Sequence, residues 1–201
     1  MDNKSRIVIN TIAQYTKTII NMILSLYSTR LVLQILGVED YGIYNIVAGV
    51  IAMLSFIVSS LSVSTQRFIS YNQGKNDINH VKRIFVNSLF LHLAVAIIFS
   101  IILLSISSFL FNGYLNIPSN RVNAAIVTYI IVVISLMLTF ISAPYRALVV
   151  SHEDIVFSSI IEVLDGVIKV ALVIILQYIS FDKLITYAAF TLLIQTVNYL
   201  H

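Results

Sequence analysis

The run IIEVLDGVIKVALVII at residues 160–175 carries Glu162, Asp165 and Lys169 inside an otherwise apolar stretch. Side chains of these types can form an ion pair, take up a coupling cation or proton, or meet a polar solute. A charge at the centre of a membrane helix costs about 2.5–3.5 kcal/mol on insertion scales, so three of them need partners or water. Asp165 and Lys169 stand at i, i+4 with the acid first, the favourable order, and are expected to neutralise one another. Glu162, one turn away, is then left as an unpaired acid. Lys17, in the first apolar run, offers a cation from a second helix. Two readings follow: an internal ion pair that locks helices together, or a shared hydrated chamber lined by several helices.

The rest of the chain says what must position these groups. Of its 201 residues 59% are hydrophobic and 10% charged, and the mean hydropathy is +0.95. A soluble domain carries about 25% charged residues. The expected fold class is therefore all-α and polytopic, built from membrane spans of about 20 residues. There is no cysteine, which excludes disulfides, thiol catalysis and thiolate metal sites. His80, His92, His152 and His201 have no metal-ligand spacing, so no metal or other cofactor is expected, and His92 reads as a packing residue. The net charge of +3 lies mainly in loops and does not indicate a nucleic-acid partner. The basic N-terminus, interrupted by Gln14 and Lys17 and lacking a cleavage site, reads as a retained first helix.

Turn-forming residues divide the chain into one transmembrane unit of six spans, about 7–36, 41–70, 82–112, 122–149, 154–179 and 184–201. Gly37 suits a helix C-terminus and Asp40 the next start. NQGKND at 72–77 and NIPSNR at 116–121 are turns, SHED at 151–154 is a possible capping box, and ISFDK at 179–183 makes a short hairpin. Lys4, Arg6, Arg67, Lys75, Lys82, Arg83 and Arg146 fall on one side, against Arg30, Arg121 and Lys183 on the other. That asymmetry places the N-terminus in the cytoplasm. The last span stops at Tyr199–Leu200–His201 with no basic flank, as expected of a piece of something longer.

Polar residues also share helix faces. Asn10, Gln14, Lys17, Asn21, Ser25 and Ser28 lie within roughly 80° of arc on the first helix. Asn45, Gly49, Ser60 and Arg67 lie within roughly 60° on the second, and Thr128, Ser135, Thr139, Ser142 and Arg146 do so on the fourth. Ser158, Glu162, Asp165, Lys169 and Gln177 share roughly 120° of the fifth. Such stripes serve helix packing as well as solvated cavities. Helix three, despite Asn87 and His92, shows no stripe and is expected to be peripheral and lipid-facing. Arg30 points nearly opposite the first stripe, either snorkelling to the interface or facing a cavity across a bend.

YSTRLVLQILGVEDYGIYNIVAGV at 27–50, STQRFISYNQGKND at 64–77 and APYRALVVSHED at 143–154 carry a family likeness. The chain resembles bacterial polysaccharide biosynthesis proteins, the O-antigen and capsule repeat-unit flippases of the multidrug/oligosaccharidyl-lipid/polysaccharide exporter superfamily. The resemblance implies twelve to fourteen helices in two six-helix lobes, of which this chain is the N-terminal one and the C-terminal lobe is missing. It implies flipping of undecaprenyl-pyrophosphate-linked oligosaccharide across the bacterial inner membrane, with membrane lipids and the polysaccharide polymerase and glycosyltransferase machinery as expected partners. Arg30 and Arg67 match family positions. Lys17, Arg146 and Lys169 would line the cavity as cations for pyrophosphate, with Asn21 and Asn45 among the sugar partners. Glu162 and Asp165 would bind a coupling ion or hold Lys169. One lobe cannot close a cavity between two, so the 201-residue chain alone is not expected to transport.

Three rivals remain. A multidrug or organic-cation exporter of the same superfamily should have a net acidic cavity, whereas these stripes hold more cations than acids. An integral-membrane enzyme lacks support: Glu162 and Asp165, at i, i+3, share one surface, and no G-x-S-x-G occurs. A non-transporting membrane scaffold or remnant is the third.

Overall fold

The computed structural model describes residues 3–151 and 155–200. His152, Glu153, Asp154 and His201 lie outside them, as do the side chains of Lys4 and Arg6, so the capping box is not described. Six helices follow in order: α1 Asn3–Ala52, α2 Ser55–Gly74, α3 Ile78–Phe109, α4 Val122–Ser151, α5 Ile155–Leu176 and α6 Lys183–Leu200.

Two breaks explain the first elements. Gly37 sits at φ 81° and ψ 169°, dividing α1 into arms 3–36 and 38–52. That backbone region is open almost only to glycine. At Met53–Leu54 the ladder tightens, Leu54 N–H donating to the Ile51 carbonyl at 3.0 Å. The expected second span, 41–70, is therefore not one rod. Its first half is the second arm of α1 and its second half is α2. A π turn, Leu110–Tyr114, extends α3. Asp77 caps α3, accepting from the His80 N–H at 3.0 Å.

Among the described residues three helices can, by length and composition, cross a membrane: Val8–Ala52, Ile78–Phe109 and Val122–Ser151. The core centres on α4, where Ala125, Tyr129, Val133, Leu136 and Phe140 are buried with Val47 and Ile51 of α1, Ala96 of α3 and Leu184 of α6. Pro144 lies inside α4. It has no N–H, so the Phe140 carbonyl loses its helical donor at this level.

Helix three corrects the sequence reading. Ile97, Ile98 and Ile101 are exposed, but Ser88, His92, Ala96, Ser100 and Leu103 are buried. These recur at intervals of four and then three residues and form the stripe that appeared absent, because Ala96 interrupts its polar character. Thr65 Oγ1 and Ser88 Oγ meet at 2.6 Å, and His92 Nδ1 lies 2.8 Å from the Ser88 carbonyl oxygen. Helix three is thus lipid-facing on one side only.

Candidate functional site

Glu162, left unpaired by spacing along its own helix, is paired with the cation offered by the first helix. Its Oε2 lies 3.0 Å from Lys17 Nζ, with the two side chains 36% and 13% exposed. Arg146 Nη2 approaches Oε1 at 3.8 Å. The knot joins α5, α1 and α4, because the three stripes converge where these helices meet. Among the described residues no ion pair joins Asp165 to Lys169, although Asp165 does have an interaction of its own.

One turn beyond the knot α1 and α5 touch. A Cβ built on Gly166 would stand 2.9 Å from Leu24 Cδ1 and 3.0 Å from Asn21 Oδ1. Glycine permits this approach, and it places Asn21 against α5. Towards the N-terminal ends the two helices splay around an apolar cavity of about 440 Å³, lined by Ile12, Ile20, Val156, Ile160 and Leu164 with Lys17 at its edge.

Lys169 opens instead onto a separate cavity of about 360 Å³. Its walls are Tyr44, Ala48 and Ile51 of α1, Ser135 and Thr139 of α4, and Thr191 and Gln195 of α6. Gln195 Nε2 donates to Thr139 Oγ1 at 2.8 Å, tying α6 to α4 along the wall. Among the described residues Lys169 is the sole charge on this lining. The chamber can therefore offer hydrogen-bonding groups and one cation to a solute.

The remaining predicted residues are not gathered there. Arg30 and Arg67 are exposed on other surfaces. Asn45 is exposed and its Nδ2 donates to the Tyr41 carbonyl of its own helix at 2.8 Å. Lys17, Arg146, Glu162 and Lys169 thus divide between a knot and a chamber, and Arg30, Arg67 and Asn45 join neither.

A third constellation was missed. Arg121, at the start of α4, grips two aspartates. Its Nε and Nη2 donate to Asp40 at 2.7 and 2.6 Å. Its Nη1 and Nη2 donate to Asp182 at 2.6 and 3.2 Å. Asp182 Oδ1 also accepts from the N–H groups of Leu184 and Ile185, capping α6. Burial acts to raise the Asp182 pKa, but the Arg121 hydrogen bond and the two backbone donors outweigh it and hold the carboxyl below its ordinary value. The Asp182 hydrogen bond likewise raises Arg121, against partial burial. The only sequence signal was one charge in each of three turns at the same end of the bundle.

The chain matches the family model described as MatE over residues 13–179. No curated protein sequence matches it. Its fold is similar to a solved structure described as the outward-facing conformation of a multidrug resistance MATE family transporter of the MOP superfamily. That match has a TM-score of 0.81 and 21% identity, covering 100% of this chain and 44% of the other. A second, described as MATE in complex with MaL6, has a TM-score of 0.67 and 19% identity, with 92% and 42% covered. The chain thus spans less than half the length of either.

Proposed function

The chain belongs to the MatE family, and on that premise we propose that it forms one lobe of a multi-pass membrane exporter, moving solute by alternating access. Transport, not catalysis, is the activity of that family. The observation that carries the reading is the Lys169 chamber, a partly open cavity of mixed polar and apolar lining between α1, α2, α4, α5 and α6. A lysine and hydroxyl and amide groups on such a lining are costly in a membrane protein unless they are wet or meet a polar ligand.

Multidrug export is the substrate reading that the likeness supports, since one similar structure is described as a multidrug resistance transporter. The charge of the chamber favours a second reading, the flipping of a lipid-linked oligosaccharide. Lys169 is the single charge there among the described residues, and it suits a phosphate better than an organic cation. In both readings Glu162, held by Lys17, acts as a lock between helices and not as a free coupling acid. The membrane is taken to be the bacterial inner membrane, with the N-terminus in the cytoplasm.

Cells carrying Lys169→Glu separate the two. Loss of surface polysaccharide with unchanged dye efflux supports flipping. Increased efflux of a cationic dye with normal polysaccharide supports drug export. If both remain unchanged, the chamber is not the solute path.

A further inference from the structure

The chamber wall contributed by α1 is a short segment with a break at each end. Residues 38–52 begin after Gly37, whose φ is 81°, and end at the Met53–Leu54 turn. Tyr44, Ala48, Ile51 and Ala52 of this segment face the cavity. Changes of backbone direction at such points are where helical segments pivot as rigid bodies.

Besides the packing of Ile43 and Val47 in the core, the start of the segment is tied by a charged side chain. Asp40 lies about one turn before Tyr44, and both of its carboxylate oxygens accept from Arg121. The same guanidinium holds Asp182, at the start of α6. Arg121 itself opens α4. The three elements joined at this fork are the ones that supply most of the wall of the Lys169 chamber. Beneath the fork Tyr44 and Tyr187 meet edge to face, their ring centroids 4.7 Å apart.

We propose that residues 38–52 are a movable wall of the chamber, pivoting between Gly37 and Met53–Leu54, and that Arg121 is the latch that holds this wall against α4 and α6. A lysine can substitute only in part, because a point charge does not fork two carboxylates at once. The inference rests on the geometry of the cavity and is independent of which solute enters it.

Hydrogen exchange of the intact protein in lipid nanodiscs tests it. With Arg121→Gln, amides of residues 38–52 should exchange faster, on the order of tenfold, as expected when charge-assisted hydrogen bonds to a mobile segment are lost. Those of α3 should not change. Asp40→Asn should reproduce the effect with a smaller disturbance of the fold, whereas Asp182→Asn, which keeps a capping side chain, should leave 38–52 protected. Arg121→Lys should fall between the wild type and Arg121→Gln. The chain has no cysteine, so Ala48→Cys gives a single chain thiol, whose maleimide reactivity should rise with the exchange rate. Unchanged exchange at 38–52 in both Arg121→Gln and Asp40→Asn overturns the proposal. So does an equal acceleration across α3 and 38–52, which marks a general loss of structure.

Discussion

Lys17 Nζ and Glu162 Oε2, 3.0 Å apart, join the first and fifth helices where the sequence pattern placed a lone acid. The Lys17 side chain is the more buried of the two, so removing its partner leaves a cation with little water around it. Glu162 retains Arg146 at 3.8 Å if Lys17 is lost. The two single substitutions should therefore be unequal. Glu162→Gln should destabilise more than Lys17→Met.

A double-mutant cycle on this pair should give a coupling of about 1 kcal/mol, near the upper end for partly exposed pairs. Unfolding in a denaturing detergent titration is the measurement. Additive effects of Lys17→Met and Glu162→Gln would show that the contact contributes nothing.

Gly37→Ala is expected to destabilise by about 1–3 kcal/mol, the cost of placing a side chain at such a φ/ψ. Nothing lies within 4 Å of a Cβ built there, so the penalty is conformational and not steric. Gly37→Asn should cost no less, since ψ of 169° lies far from the left-handed helical region that asparagine tolerates. Thermal unfolding of the two variants beside the wild type measures this.

Gly166→Ala tests the opposite case, in which space is short and the backbone is ordinary. The new methyl meets Leu24 Cδ1, the end of a flexible side chain, and Asn21 Oδ1. Leu24 can rotate away, so a loss of about 1–3 kcal/mol is expected, as for other overpacked contacts. Combining Gly166→Ala with Leu24→Ala should recover part of it. Gly166→Leu should separate α1 from α5 and lengthen the Lys17–Glu162 contact, which a cross-linking distance between the two helices would register.

The helical class and the turns were legible because apolar runs and turn residues act locally. Gly37 was read correctly as a boundary, since a glycine conformation is decided by its own backbone, whereas Asp40, expected to cap the next helix, lies within the second arm of α1 with its carboxylate on Arg121. Lys17 was legible as a cation from a second helix, but not that Glu162 is the acid it meets. Helical spacing ranks neighbours on one helix, and Lys17 reaches Glu162 only after α1 and α5 have packed through Gly166. Arg121 was counted as a loop charge for the same reason, because Asp40 and Asp182 are 81 and 61 residues from it in sequence. The buried face of α3 was missed because Ala96 and Leu103 stand where the eye seeks polar residues, although Ser88, His92 and Ser100 keep the period. Lys169 was found by its cost in an apolar run, which points to a cavity without saying which helices enclose it.

The Arg121 fork should also have a characteristic response to acid. Asp182 is held below its ordinary pKa: burial opposes this, but the Arg121 hydrogen bond and the N–H groups of Ile185 and Leu184 prevail. A carboxyl depressed in the folded state stabilises it at pH above the unfolded value, about 3.9. That contribution is lost as pH falls through the lower folded value. The raised Arg121 value acts at the far alkaline end and leaves the neutral range untouched. The contribution of Asp182 to stability should therefore be fully present, and independent of pH, between about pH 6 and 8. Stability should decline through this group only below about pH 4. Asp182→Asn should flatten the acid limb of the stability curve. Melting temperatures across that pH range, measured for the variant and the wild type, check the sign. An equal acid limb in both would show that Asp182 is not held by Arg121 in solution.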